Sequence, residues 1–432
     1  MDLENELRRV LQTREIGTSV PDPVGQIHTG MLHRRRSRRA QIASATLGVV
    51  AVALAASTLS TPSFLTRSPT SHQPTSLPTP TAVQPSPDAP VPPHFAALDL
   101  SFVSKDRGWA LGTSPCSTGR CFSLLSTDDG GTRWSLRTTP NATLPSEDGT
   151  FTADCAVRTC VSRLRFASPE IGYAFDPGLA MTKDGGRTWT NVPTDGAVTG
   201  LEAAGRNVVR LVNRTSCPGC TFDVETADIG GTAWSRTYTT PQVGAAGAQL
   251  VRQGSELVVL LTGHTAGGAS GASSTLVLSN DSGATWTDRQ DPCGRPTSST
   301  EVDTRQLALA PRNVMIALCV DRTSQASAVR TSTDFGSTFG PPHPLPNAAT
   351  ADLITSAPGV LLAAVPSPTH GQVLRSTDDG RSWASVLSQV GQGAPTFLQL
   401  TTSTVATFVP QDRTRYWRTA DAGRTWSVHT FS

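Results

Sequence analysis

The chain has 432 residues and a nearly balanced charge, with 36 Lys and Arg against 34 Asp and Glu, a formal net charge of +2 at pH 7. This balance, without a stripe of basic residues, argues against nucleic-acid binding. The basic residues are almost all Arg. Together with the abundant Ala, Gly, Pro and Thr, this usage is typical of a high-GC bacterial genome.

Residues 1–39 form a predicted cytoplasmic segment that is basic and partly amphipathic. They contain eight Arg against five acidic residues, and five of the Arg lie between His33 and Arg39. Apolar residues at helical spacing, from Leu3 and again after Pro23, predict two short amphipathic helices. Such helices suit the surface of an anionic membrane, a cytoplasmic partner in transmembrane signalling, or an inert flank, and the sequence leaves these three possibilities open.

Residues 40–60 form a predicted transmembrane helix. The stretch Ala40–Leu59 is uncharged, mostly apolar and long enough to cross a bilayer as a helix. The positive charge before it predicts a cytoplasmic N-terminus and an extracytoplasmic remainder, held at the cell membrane by a single pass. The alternative is a signal peptide cleaved near Ala53 and Ala55, after which the protein would be secreted.

Residues 61–94 form a predicted disordered linker rich in Pro, Ser and Thr. Ten of the chain's 32 prolines fall between Pro62 and Pro93. Such a segment cannot pack a core and favours an extended polyproline II conformation. At ~3.1 Å per residue it would reach about 100 Å, which is enough to hold a C-terminal domain well away from a membrane.

From residue 95 to 432 one short motif recurs seven times: a Ser or Thr, then Asp, then Gly, then an aromatic residue. A unit that returns every ~43–55 residues indicates a propeller or a solenoid. Asp and Ser or Thr side chains bond nearby backbone amides in tight turns and Gly permits positive φ, so each motif predicts a hairpin turn. The third copy, Thr226 to Trp234, is one residue longer than the others. The predicted structural pairs are Asp129 and Trp134, Asp184 and Trp189, Asp228 and Trp234, Asp281 and Trp286, Asp334 and Phe339, Asp378 and Trp383, and Asp421 and Trp426.

A short apolar run precedes each motif, for example Asn207–Asn213 and Glu256–Gly263. Such runs, bounded by Gly, Pro or Asn, predict buried strands. Each repeat is then strand, strand, motif hairpin and strand, which makes one four-stranded blade. We therefore predict an all-β fold, a seven-bladed β-propeller over residues 95–432, with two sandwiches or an open solenoid as alternatives. Because the chain ends six residues after Trp426, we expect residues 95–102 to supply the outermost strand of the last blade.

These motifs resemble Asp-box repeats, also called BNR repeats, of the pattern S/T-x-D-x-G-x-T-W. The resemblance covers residues 95–432 and includes sialidases, sortilin-like receptors and photosystem II assembly factors. It is closest to the assembly factors in the first two repeats, where Gly108–Gly112 and Gly172–Tyr173 precede the motifs. The resemblance implies that the boxes lie at the blade periphery, that their Asp residues are structural, and that the propeller binds proteins.

All eight cysteines lie beyond the predicted span, which is typical of an oxidising compartment. Their spacing predicts four local disulfides: Cys116–Cys121, Cys155–Cys160, Cys217–Cys220 and Cys293–Cys319. Two alternatives remain. Cys217 and Cys220 are spaced for zinc or redox chemistry, although no second such pair is present. Cys319 lies in an apolar run and would also suit a buried free thiol.

The resemblance to sialidases raises the question of catalysis. Those enzymes use three Arg on the substrate carboxylate and a Tyr nucleophile, and Tyr416 is the one candidate here. The Arg-Ile-Pro-like motif of the family is absent, as are Ser-His-Asp, zinc-protease and phosphate-loop signatures. We therefore expect a non-enzymatic module that binds or assembles with a protein or cell-wall glycan, without cofactor or metal, and expect Tyr416→Phe to leave the fold nearly unchanged. A sialidase-like glycoside hydrolase is the alternative.

Overall fold

A computed structural model of the chain describes residues 90–117, 119–142, 160–215, 220–240, 247–262, 274–289, 291–294, 302–321, 323–346, 351, 353–366, 371–388, 390–391, 393 and 395–432. All of these residues belong to one compact unit, Gln84–Ser432. The predicted cytoplasmic segment, transmembrane helix and most of the linker therefore lie outside the described residues. Within the described ranges, no helix is long and apolar enough to cross a membrane.

The described residues form 28 β-strands in seven groups of four. The first four groups are β1 Ala96–Phe102, β2 Gly108–Cys116, β3 Gly119–Thr127, β4 Ser135–Arg137; β5 Arg163–Phe166, β6 Gly172–Phe175, β7 Leu179–Thr182, β8 Thr190–Asn191; β9 Ala197–Ala204, β10 Asn207–Asn213, β11 Phe222–Asp228, β12 Ser235–Thr239; and β13 Gly247–Gln253, β14 Glu256–Thr262, β15 Thr275–Ser279, β16 Thr287–Arg289. The last three are β17 Val302–Ala310, β18 Val314–Asp321, β19 Ser327–Ser332, β20 His343–Pro344; β21 Leu353–Ala357, β22 Val360–Val365, β23 Gln372–Ser376, β24 Ala384–Ser388; and β25 Phe397–Leu400, β26 Ala406–Val409, β27 Arg415–Thr419, β28 Ser427–Thr430.

Each group of four consecutive strands pairs in chain order into one sheet, and the described pairings are antiparallel. The sheets are blades 1 to 7 of a β-propeller, so the predicted fold class and blade number are confirmed. The apolar runs of the sequence form the second strands, and β10 has the bounds that the sequence predicts. Every box turn, the segment from the motif's Ser or Thr to its aromatic residue, lies between the third and fourth strands of its blade.

The core is divided into seven hydrophobic clusters, and each cluster is shared by two neighbouring blades. Alternate residues of a strand point to opposite faces of its sheet. Within β10, Val209 and Leu211 therefore pack against blade 4, while Val208 and Val212 pack against blade 2. Both faces of a blade are covered, which explains why the second strands are continuously apolar. The cluster shared by blades 7 and 1 closes the ring, and this closure rules out an open solenoid.

The predicted exchange of a strand across the closure is wrong. Strand β1, Ala96–Phe102, pairs with β2 in blade 1, and blade 7 has its own fourth strand, β28, paired with β27. The six residues after Trp426 are long enough for that strand, so none has to be borrowed from the N-terminus. Blades 7 and 1 are joined instead by packing and by single hydrogen bonds, such as the one from the Ala97 N–H to the Arg413 carbonyl at 2.9 Å.

Candidate functional site

Six of the seven box turns share one hydrogen-bond pattern. The Ser or Thr hydroxyl donates to the Asp carboxylate at 2.7–2.9 Å. The same hydroxyl accepts the N–H of the box Gly, four residues along the chain, at 2.7–3.0 Å. The box carboxylates are therefore directed into their own turns, an arrangement that stabilises a turn and leaves little capacity for a ligand.

These hydrogen bonds also fix the protonation of the box carboxylates. Hydrogen bonds from Thr338 lower the pKa of Asp334 to about 2, and those from Ser382 do the same for Asp378. A hydrogen bond to the charged form of an acid stabilises that form. The carboxylates of Asp334 and Asp378 therefore stay ionised at all but very acidic pH.

The third box turn differs because of its additional residue. Among the described residues, the Asp228 side chain makes no hydrogen bond, and the Asp228 carbonyl accepts the Gly231 N–H at 2.8 Å instead. The N–H of Gly230 is bonded at 2.8 Å to the hydroxyl of Tyr173, in the preceding blade. A residue of blade 2 thus takes the place that the box hydroxyl occupies in the other six turns.

The aromatic residues of the boxes connect neighbouring blades. Each of the seven packs in the cluster that its blade shares with the preceding one, from Trp134, between blades 7 and 1, to Trp426, between blades 6 and 7. Box glycines make the same contact: a Cβ on Gly380 would lie 2.2 Å from Val329 of blade 5. The sequence predicts the turns but gives no sign of these contacts, since their partners lie in another blade.

We call the packed contact between two neighbouring blades a seam. Tyr416, the candidate nucleophile, lies in the seam between blades 7 and 1. Its side chain is fully buried, its hydroxyl donates to the Gly131 carbonyl at 2.9 Å, and it accepts the indole N–H of Trp134 at 3.3 Å. Burial raises the pKa of Tyr416 to about 12. The other two tyrosines of the chain are Tyr173 on β6 and Tyr238 on β12, so none of the three lies on a first strand.

The first strands of successive blades pack side by side around the centre of the ring. Each would expose an edge of unpaired backbone groups, and side chains of the preceding blade cap several of these edges. The Asp99 carboxylate accepts the Leu164 N–H at 2.8 Å, and the Gln306 side chain accepts the Ile354 N–H at 2.7 Å. Asp99 and Gln306 occupy equivalent positions in their blades. In each blade the box Ser or Thr pairs with a residue of the second strand, and that residue pairs with one of the first strand, Phe102 in blade 1 and Leu309 in blade 5. Asp99 and Gln306 each lie three residues before that first-strand residue.

In blade 2 the equivalent position is Arg163, three residues before Phe166, and an arginine cannot accept a hydrogen bond. Its Nε lies 3.8 Å from the Asp176 carboxylate, and 59% of its side chain is exposed. Arg165, two residues along the same strand, pairs with Glu202 of blade 3, with Nη2 and Oε1 2.9 Å apart. The first strand of blade 2 therefore places a cation, Arg163, where blades 1 and 5 place an acceptor, and a second cation, Arg165, two residues along.

Five charged residues of the first strands of blades 1 to 4 form what we call the inner ion cluster: Asp99, Arg163, Arg165, Glu202 and Arg252. Burial raises the pKa of Asp99 and of Glu202, against the opposing effect of Arg165. The Glu202 carboxylate also feels the charges of Arg252 and Arg163. Asp176, 3.8 Å from Arg163 Nε, adds a third carboxylate beside these three cations. The exposed guanidinium of Arg163 is therefore the part of the cluster that is open to an anionic ligand. In the sequence, the alternating Arg-Leu-Arg of β5 is indistinguishable from an ordinary exposed strand, and only alignment of the blades by their boxes distinguishes it.

Two of the predicted disulfides are confirmed. Cys116–Cys121 and Cys293–Cys319 have Cα–Cα distances of 5.9 Å and 5.6 Å, so the alternative of a buried free thiol at Cys319 is wrong. Cys160 and Cys220 are also disulfide-bonded; their predicted partners, Cys155 and Cys217, lie outside the described residues. Over the described part of the chain, no group of three or more His, Cys, Asp or Glu residues could hold a metal ion.

No protein-family model and no curated protein matches the chain, but solved structures do. YCF48 from Cyanidioschyzon merolae is 14% identical, with 79% of this chain and 97% of that chain covered and a TM-score of 0.49. A prolyl endopeptidase is 12% identical, with coverage of 78% and 50% and a TM-score of 0.51. The GH74 enzyme of Niastella koreensis is 14% identical, with coverage of 78% and 66% and a TM-score of 0.42. At such identities a likeness to a solved structure can show no more than the fold.

Proposed function

We propose that this protein is a membrane-tethered, extracytoplasmic β-propeller that binds an acidic protein or glycan without chemically altering it. The observation that carries the proposal is the inner ion cluster. Blade packing does not require Arg163, whose side chain is more than half exposed. Its Nε lies 3.8 Å from the Asp176 carboxylate, too far for a hydrogen bond, so its donors are open to a ligand. Arginine is the side chain best suited to carboxylate and phosphate groups, because its guanidinium can bond both oxygens at once.

The extracytoplasmic location is supported by the disulfides. All described cysteines are disulfide-bonded, and such bonds persist in oxidising compartments. The uncharged stretch 40–60, preceded by the Arg cluster, supplies the tether. The linker after it lets the propeller reach a ligand at a distance from the membrane.

The non-catalytic role is supported by the position of the tyrosines. A sialidase-like mechanism needs a tyrosine hydroxyl that reaches the substrate. The Tyr416 hydroxyl instead donates a hydrogen bond to the Gly131 carbonyl at the buried contact between blades 7 and 1, and burial raises its pKa to about 12, so the phenolate is rare at neutral pH.

The test measures binding of polyanions to the full chain, purified in a non-ionic detergent. Poly-L-glutamate is the acidic peptide probe, and cationic poly-L-lysine is its control. Polygalacturonate is the acidic glycan probe, and neutral dextran is its control. Arg163→Glu is expected to weaken polyanion binding by about tenfold or more, because it reverses the exposed charge of the cluster. Arg424→Glu, on the box turn of blade 7, removes the same net charge and should leave most of the affinity. Equal losses in the two variants, or no binding of either polyanion, would contradict the proposal.

A further inference from the structure

A second basic site lies at the closure of the ring, where the loop between β26 and β27 meets β1. Arg413 is at its centre. Its carbonyl accepts the Ala97 N–H at 2.9 Å, and its N–H donates to the Pro410 carbonyl at 3.2 Å. Its φ of +58° is left-handed, a conformation that costs a non-glycine residue about 1 kcal/mol or more. The backbone holds an arginine here in spite of that cost.

Arg120, the second residue of β3 in the β2–β3 hairpin, is close enough for its charge to act on Arg413. Its Nε donates to the Thr113 hydroxyl at 3.1 Å, and Nη2 bonds the same oxygen. Thr113 pairs with Ala96, the neighbour of the residue that Arg413 bonds. The Cys116–Cys121 disulfide closes this hairpin, so the position of Arg120 is fixed by a covalent bond next to it.

Arg413 has no partner for its charge. Its side chain is half-buried, and in the described part of the chain no carboxylate, carbonyl or hydroxyl contacts its guanidinium. The adjacent carboxylate, that of Asp412, pairs with Arg415 at 3.3 Å. Burial, and then the charge of Arg120, lower the pKa of Arg413, with no acidic group in opposition.

Other arginines whose pKa is lowered by burial show how such a charge is normally satisfied. Arg210 bonds the Glu225 carboxylate at 2.7 Å, Arg252 bonds the Asn207 carbonyl at 3.0 Å, and Arg418 bonds the Gly130 carbonyl at 2.7 Å. Arg107 pairs with Asp128. Arg413 is an exception among these arginines. The guanidinium near it is that of Arg120, and no acidic group of the described residues neutralises its charge.

We propose that Arg413 and Arg120 form a binding site for a small oxyanion, the carboxylate or phosphate group of a ligand, at the seam between blades 7 and 1. An anion between the two arginines removes their mutual repulsion and accepts the hydrogen bonds that Arg413 has free. The site is separate from the inner ion cluster. Because Arg413 also bonds Ala97 across the closure, an anion held there stabilises the closed ring.

The experiment measures inorganic phosphate and acetate binding to the full chain in detergent, by isothermal titration and by thermal unfolding, against chloride at the same ionic strength. We expect saturable binding and a rise in melting temperature with phosphate, acetate or both. Arg413→Gln should weaken binding by about tenfold or more, whereas Arg424→Gln should leave it unchanged. A response to phosphate alone assigns a phosphate group, and a response to acetate alone assigns a carboxylate.

Arg413→Gly is a second variant that also removes the guanidinium, for use if Arg413→Gln folds poorly. Glycine adopts the positive φ of this position without strain. This variant should fold at least as well as the parent in anion-free buffer and still lose the anion response. Retention of the response in either variant would overturn the proposal. So would the absence of a response to both anions in the parent, or a large loss of stability in Arg413→Gly, which would mean that the arginine is structural.

Discussion

The hydroxyl of Tyr416 in blade 7 donates a hydrogen bond of 2.9 Å to the carbonyl of Gly131 in the box turn of blade 1, 285 residues away along the chain. The same hydroxyl accepts the Trp134 indole N–H. One buried oxygen thus joins the last blade to the first. The other six seams join blades that are consecutive in the chain, whereas the seam between blades 7 and 1 closes the ring.

Tyr416→Phe should destabilise the protein by ~1–3 kcal/mol, the cost of leaving buried polar groups unpaired. The sequence alone suggests a nearly neutral change, and the two hydrogen bonds revise that expectation. Urea unfolding followed by Trp fluorescence measures the effect. Tyr238→Phe is the control, because its hydroxyl bonds Asp288 on the surface and its loss should cost less than about 0.5 kcal/mol. Equal stabilities of the two variants would show that the seam hydrogen bonds contribute nothing.

Gly131→Ala should be far more damaging than a conformational penalty alone. Gly131 has φ +90°, and a Cβ there would lie 1.8 Å from the Tyr416 hydroxyl. Gly205→Ala isolates the backbone cost, since Gly205 has φ +62° with nothing within 4 Å, and that cost is about 1 kcal/mol. The Gly131→Ala and Tyr416→Phe changes should be non-additive in a double-mutant cycle of unfolding free energies, because the hydroxyl that clashes is removed. Strict additivity would contradict the contact.

Acid should unfold the propeller through its box turns. Hydrogen bonds from Thr338 lower the folded pKa of Asp334 from 3.8 to about 2, so its contribution to stability is complete above pH 3.8 and is lost as the pH falls towards 2. Asp334→Asn should therefore lower the melting temperature at pH 7 and reduce its fall between pH 4 and pH 2. Asp228→Asn is the control, as the Asp228 side chain makes no hydrogen bond in the described structure. The prediction fails if both variants keep the parent's pH profile.

Non-reducing peptide mapping of protein from its native compartment should reveal Cys155–Cys160 and Cys217–Cys220 in addition to the two disulfides described above. Cys160 and Cys220 are disulfide-bonded, and the predicted partners lie five and three residues away in sequence. A peptide that links Cys160 to Cys220 instead, or free thiols at Cys155 and Cys217, would show that the sequence spacing misleads.

Membrane attachment is checked by fractionation of cells that express the full chain. A retained anchor predicts that the protein stays in the membrane pellet after sodium carbonate extraction, at the full 45.4 kDa. Replacing Val50 and Leu54 with Asp should release it, since charge in the middle of a span is costly. A shorter, soluble extracellular product would instead indicate signal-peptide cleavage.

The fold is predictable from this sequence because its main signal is local. Each box places a hydroxyl, a carboxylate and a glycine within five residues, so the turn chemistry is visible without the partner blade. The seams are not visible in this way. Nothing near Gly131 in sequence indicates that Tyr416 will contact it, and nothing near Arg165 indicates that Glu202 of the next blade will pair with it. The expected strand exchange at the closure fails for a different reason, because β1 pairs locally with β2, the next strand along the chain.

Every blade is built from one uninterrupted stretch of chain, and the rings of Phe95 and Phe431 lie 4.9 Å apart at the closure. The two ends of the propeller therefore meet, and no strand crosses between the first and last sheets. A circular permutation, in which these two ends are joined and the chain begins between two other blades, would therefore preserve every sheet. Insertion or loss of a whole blade would likewise leave the remaining sheets intact, so this architecture can change its circumference by units of one repeat.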